Sequence, residues 1–140
     1  MLGEVIAVLS GKGGTGKTSV CAGIATALAE SSLKVLAIDC DVGLRNLDIS
    51  LGISDRAALS FLDLSEGSYT FDQGMAHPRY PTLYFLTAPM TRSPEKISVS
   101  AFTAMLRSAR NRFDYILLDA PAGVDAGFRL ASSGADRCIL

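Results

Sequence analysis

Eight residues near the amino end restrict this chain more than any other feature. Gly11-Lys12-Gly13-Gly14-Thr15-Gly16-Lys17-Thr18 fits the pattern G-x-x-x-x-G-K-[ST]. Before it comes EVIAVLS (4–10), a short, β-branched and almost continuously apolar run. Such a run predicts a strand buried on both faces, as in a parallel sheet. After it, from Thr18 to Ser31, Val20, Cys21, Ile24, Ala25 and Leu28 recur at three- and four-residue steps, which predicts a helix. Strand, glycine loop and helix together form a P-loop. Its backbone N–H groups converge on polyphosphate oxygens at the positive end of the helix. The nucleotide-binding residues are then Gly11, Lys12, Gly13, Gly14, Thr15, Gly16, Lys17, Thr18 and Ser19. In this set Lys17 neutralises β- and γ-phosphate charge, and the Thr18 hydroxyl ligates Mg²⁺. One lysine suffices for that task, so Lys12 needs a separate explanation.

The remaining pattern repeats strand and helix. KVLAIDC (34–40), TLYFLTA (82–88) and FDYILLDAPAG (113–123) each contain a buried strand, and DRCIL (136–140) opens a fifth. Residues 99–113 predict an amphipathic helix with Val99, Phe102, Met105, Leu106 and Ala109 on one face. Arg107, Arg110 and Arg112 fall on or near the other, as a solvated basic face. Short helices are expected at 60–67, at 71–76 and from about Asp125 to Ser133. Alternating strands and helices mean right-handed βαβ units, hence an α/β fold of the P-loop NTPase type: a mostly parallel sheet flanked by helices. A chain of 140 residues suits one domain, here 1–140, and 49% hydrophobic residues supply its core.

Ligands of such sheets bind at the carboxyl ends of the strands, where two further acidic motifs fall. Asp39 and Asp41 end one strand with a single residue between them. On extended backbone they face the same side, so one can approach the metal's water shell while the other orients an attacking water. Their strand is expected beside the P-loop strand. Asp119 ends a hydrophobic strand, the usual acidic partner of a P-loop, and would hold Mg²⁺ directly or through water. Gly123 could let the following loop move with the γ-phosphate. The metal set is thus Thr18, Asp39 and Asp119.

Several other classes lose support. A net charge of −1 gives no electrostatic case for nucleic acid or an anionic membrane as partner. No uninterrupted apolar stretch is long enough to span a bilayer and no cationic leader is visible, so a cytoplasmic location is expected. Cys21, Cys40 and Cys138 are scattered without a C-x-x-C spacing and are expected as small buried residues. His77 stands alone in MAHPRYP and is expected in a loop.

With these residues in view, the chain resembles the MinD/ParA family of deviant Walker A ATPases. KGGTGKT with its extra leading lysine is similar to that family's first motif. DCDVGLRNLD (39–48) is similar to its switch I, and FDYILLDAPAG to its Walker B and switch II. LYFLTAPMTR sits where the family has a similar strand and loop. GLRNLD narrows the resemblance to the MinD branch, although flagellar placement ATPases carry a similar segment. The resemblance implies ATP and Mg²⁺ as cofactors, slow ATP hydrolysis, an ATP-dependent homodimer, and division-site placement with regulatory partners of the MinC and MinE type. It implies that Lys12 reaches across the dimer to the partner's phosphates, that Lys17 and Asp41 join it in catalysis, and that Asn46 lies in the switch. Family members continue beyond this length, with further strands, adenine-binding residues and, in the MinD branch, an amphipathic membrane helix. The sheet is therefore expected to be incomplete on its C-terminal side, with direct membrane attachment absent from this stretch. Two alternatives stand beside this reading: a ParA-type partitioning or flagellar-number ATPase, and a non-catalytic scaffold that binds partners.

Overall fold

The structure, a computed structural model, describes residues 2–8, 17–40, 60, 61, 64, 71, 75–87, 98–120, 131 and 133–139, with the backbone alone at 17–19 and 75. Among the described residues, six strands form one sheet: β1 (Glu4–Val8), β2 (Val35–Asp39), β3 (Met75–Ala76), β4 (Leu83–Leu86), β5 (Tyr115–Asp119) and β6 (Arg137–Ile139). Their order is β3-β4-β2-β5-β1-β6. Every pairing is parallel except β3 with β4. The helices described over their full length are α1 (Lys17–Glu30) and α2 (Val99–Ala109). No described helix is long and apolar enough to cross a membrane.

The central strands are apolar throughout because both of their faces are covered. Val5, Ala7, Leu36, Ile38, Leu86, Ile116 and Leu118 pack with Phe102, Met105 and Leu106 of α2 and with Phe61. Val8, Val35, Ala37, Leu83, Phe85 and Leu117 pack with Cys21, Ala22, Ala25 and Ala29 of α1. Alternate residues of each strand thus supply opposite cores. On α1 the buried stripe consists of small side chains, which let the helix lie close to the sheet. Val20, expected on that stripe, is exposed instead, and Ile24 and Leu28 flank it half-buried.

α2 begins where the Ser98 hydroxyl accepts the Ala101 N–H at 3.1 Å, an N-cap. Val99, in its first turn, is exposed rather than on the apolar face. The helix ends at Ala109, short of the expected 113. There Arg112 N and Phe113 N both donate to Ala109 O, a turn that swings Phe113 into the core.

The expected helix at 71–76 is replaced at its end. Met75 and Ala76 pair antiparallel with Phe85 and Tyr84, and His77 N extends the pairing to Leu83 O at 2.7 Å. Six residues hold too little helical periodicity to outweigh hydrogen bonds offered by the open edge of β4. His77 lies in the connection that follows, as expected, and is buried there. Its Nδ1 accepts the Arg79 N–H at 3.1 Å. Phe61, Leu64, Ala131, Ser133 and Gly134 have helical backbone, in keeping with short helices at those places.

Two further expectations about side chains are overturned. Cys21 and Cys40 are buried, but Cys138, on edge strand β6, is exposed. Arg110 is not part of a solvated basic face. Its guanidinium holds both carboxylate oxygens of Asp136, at 2.5 and 3.0 Å, and reaches Gly3 O at 3.1 Å. Asp136 Oδ2 also accepts the Val5 N–H at 2.9 Å. These bonds tie the entry to β6 to the end of α2 and the start of β1.

Candidate functional site

The carboxyl ends of three central strands finish level with one another. Asp119 of β5 is the register partner of Asp39 in β2 on one side and of Val8 in β1 on the other. β1 ends at Val8, before the glycine-rich segment in the sequence, and α1 begins at Lys17, after it. The strand order differs here from expectation. β5 separates β2 from β1, so Asp39 of β2 does not adjoin the P-loop strand. Asp119 occupies the middle of the row instead, with Asp39 beside it.

Strand alternation fixes the face. Val35 and Ala37 of β2, and Leu117 of β5, belong to the core under α1. Asp39 and Asp119 follow at even spacing and so project to the α1 side. Both are buried, at 1% and 0% exposure. Their backbone is fixed just past each carboxylate: Cys40 N donates to Asp119 O at 2.9 Å, and Ala120 N to Val8 O at 3.1 Å. The carboxylates are thus held by paired backbone rather than by a mobile loop.

Two carboxylates side by side on a buried sheet face give up hydration and offer oxygen donors to a cation. Hard oxygen donors of this kind suit Mg²⁺. The positive end of the α1 helix on the same face favours anions. A site for a metal-bound polyphosphate therefore fits what the chain offers here. Among the described residues, no group of three or more His, Cys, Asp or Glu side chains comes together, and the described acids in this row are Asp39 and Asp119.

Of the residues singled out from the sequence, Asp39 and Asp119 come together as neighbours. Lys17, Thr18 and Ser19 form the first turn of α1, where their backbone is described. Gly11, Lys12, Gly13, Gly14, Thr15, Gly16, Asp41, Asn46 and Gly123 lie outside the described residues. One residue was missed. Ile38 pairs with Leu86, so Thr87 is level with Asp39, and alternation from Leu83 and Phe85 turns it to the same face. It is 4% exposed, and Ser60 bridges to it in parallel. TLYFLTA predicts the strand and even ends it near the right residue. Only the register against β2 identifies Thr87 as the third polar side chain in the row.

A family model described as the CobQ/CobB/MinD/ParA nucleotide binding domain matches residues 6–137. The septum site-determining protein MinD of Synechocystis is 39% identical over 140 residues, covering 99% of this chain and 53% of that protein. MinD in a MinC:MinD cell division complex from Aquifex aeolicus superposes with a TM-score of 0.82 at 40% identity, over 96% of this chain and 54% of that one. MinD of Pyrococcus horikoshii, solved with Mg-ADP, gives 0.81 at 30% identity over 98% and 56%. The chain spans about half the length of the relatives it matches. Glycine-rich motif, level acids and matched domain agree: this chain belongs to the CobQ/CobB/MinD/ParA nucleotide-binding family.

Proposed function

We propose that residues 1–140 act as one nucleotide-binding unit of a MinD-like switch, which binds Mg-ATP, dimerises with ATP bound and hydrolyses it slowly in division-site placement. The observation that carries the reading is the in-register pair Asp39 and Asp119 on the α1 face, level with the strand that feeds the glycine-rich motif. The division-site role rests on likeness to MinD proteins. So does a regulatory partner of the MinC type, with one of the MinE type by family resemblance. A cytoplasmic location follows the same reading.

The amides of Gly11 to Gly16 would cradle the phosphates, with Lys17 countering their charge and Ser19 beside them in the first turn. Thr18, Asp39 and Asp119 would hold Mg²⁺, which when bound neutralises charge on the β- and γ-phosphates. Asp41, two residues beyond Asp39, would orient the water that attacks the γ-phosphate, and Lys12 would supply positive charge from the partner subunit. Because Asp39 and Asp119 are buried and backbone-locked, they need no reorganisation when the nucleotide arrives.

Calorimetric titration of the purified chain with Mg-ATP tests this. Saturable one-site binding is expected, reduced at least about a hundredfold in Lys17→Ala, whose lost charge-assisted contacts are worth roughly 1.5–3 kcal/mol each. A wild-type chain that takes up no Mg-ATP would remove the catalytic reading and leave the partner-binding scaffold.

A further inference from the structure

β1 has two neighbours, and they are held in different ways. It pairs with β5 over five residues, from Glu4 with Tyr115 to Val8 with Asp119. It pairs with β6 over three: Ile6 with Arg137, Ala7 with Cys138 and Val8 with Ile139. All three residues of β6 are exposed. Among the described residues, neither apolar core includes one of them. β5, in contrast, gives Ile116 and Leu118 to one core and Leu117 to the other.

What holds β6 is a polar clasp at its entry. Asp136 N donates to Val5 O at 2.7 Å, and Asp136 Oδ2 accepts the Val5 N–H at 2.9 Å. A side chain thus completes the first rung of the ladder. Arg110 grips both oxygens of that carboxylate, a bidentate pair with directional strength. The same guanidinium reaches Gly3 O at 3.1 Å and Gly134 O at 3.4 Å. Along the strand, Arg137 Nε meets Glu4 Oε1 at 2.6 Å, but 76% of the Arg137 side chain is exposed, so this pair adds little. Just before the clasp, Gly134 lies so close to the Leu106 side chain of α2 that a Cβ would strike it. Apolar packing therefore fixes the chain at Gly134, and polar contacts take over from Asp136 onward. Elements with few buried apolar contacts open at lower free energy than the core.

We infer that the Arg110–Asp136 clasp is a latch: β6 opens from β1 as a unit, from Asp136 onward, while β1, β2, β4 and β5 stay folded, and the clasp sets how often this happens. β1 keeps its five pairings with β5 in the open form. Its outer edge is then bared at Val5, as a strand edge that can accept another strand. The latch is a property of the chain without ligand and does not rest on the proposed nucleotide.

Native-state amide hydrogen exchange of the chain, read by NMR in urea below the unfolding transition, tests this. The Val5 and Asp136 amides each lose their partner when β6 opens. They are expected to exchange at least about tenfold faster than the β2 and β5 amides, with little dependence on urea because little surface is exposed. Asp136→Asn should speed both about fivefold, the scale of an ion pair this exposed, after correction for intrinsic rates. Ile38→Val trims the core two strands away from β1. It should speed the β2 and β5 amides about fivefold, the usual cost of that change, and leave Val5 and Asp136 as in wild type. If Val5 and Asp136 share the rates and urea dependence of β2 and β5, or accelerate with them in Ile38→Val, β6 opens only with the whole fold and the inference falls. Unchanged exchange at both amides in Asp136→Asn would overturn it as well, since the clasp would then not control the strand.

Discussion

At residue scale, the fold spends burial on two acids. Asp39 and Asp119 are almost wholly enclosed, and only function or pairing justifies that for carboxylates. If they hold Mg²⁺, Asp119→Asn should act on the metal more than on the nucleotide. Mg-ATP affinity is expected to fall about tenfold or more, in line with the 1.5–3 kcal/mol of a charge-assisted contact, while metal-free ATP measured in EDTA binds much as before. Isothermal titration in the two buffers decides it, and an equal loss in both would mean that Asp119 only holds the fold. Thr87 calls for a different measurement. Thr87→Val keeps the shape and removes a hydroxyl from a buried row. It should lower stability by about 1–3 kcal/mol through the polar groups left behind, read from urea unfolding. The acids were legible in the sequence because each ends an apolar run. Their alignment was not, since register depends on which strands are neighbours, and β5 inserts itself between β1 and β2.

At the scale of elements, the sequence pattern was most informative where periodicity ran long. The strands at 4–8, 35–39, 83–86 and 115–119 and the helix 17–30 follow from apolar runs and three- to four-residue steps. What failed were ends and short pieces. Met75–Ala76 became a strand because β4 had an open edge, and α2 stopped at Ala109 because Phe113 had to enter the core. Arg110 read as solvated because its partner, Asp136, is far along the chain. Its role can be tested by pH. The Arg110 guanidinium, and then the Val5 N–H, hold the Asp136 carboxyl below its usual value of 3.8. A group depressed on folding stabilises the fold above its unfolded value and loses that contribution as pH falls through the folded one. Asp136→Asn should therefore cost stability at pH 7, about 1 kcal/mol for a pair this exposed. The gap from wild type should close below about pH 3.8. A gap independent of pH would point to packing rather than charge. Gly3 is a backbone constraint of another kind: a Cβ there would run into the Phe113 carbonyl oxygen. Gly3→Ala is expected to lower the melting temperature, since backbone cannot give way as a side chain can.

At the scale of the whole molecule, a sheet with every described motif at one end has an asymmetric surface. The carboxyl edge gathers Asp39, Asp119, Thr87 and the start of α1. A family switch that dimerises through bound nucleotide would use the first edge, bringing two sets of phosphates face to face. Like charges so opposed need a counter-charge from outside each subunit's own loop. On the proposed reading, Lys12 supplies it. It stands five positions before Lys17, and the amide nest with Lys17 can hold a nucleotide without it. Lys12→Ala should therefore leave ATP binding by the monomer within about threefold of wild type, while ATP-dependent dimerisation and the phosphate release that depends on it fall by roughly a hundredfold or more, the scale of an arginine finger's loss or somewhat less. Light scattering with a slowly hydrolysed analogue reads the dimer, and a phosphate assay reads turnover. A mutant that dimerises and hydrolyses like wild type would return Lys12 to the status of a solvated loop charge. A mutant that no longer binds ATP would instead make Lys12 part of its own subunit's phosphate cradle.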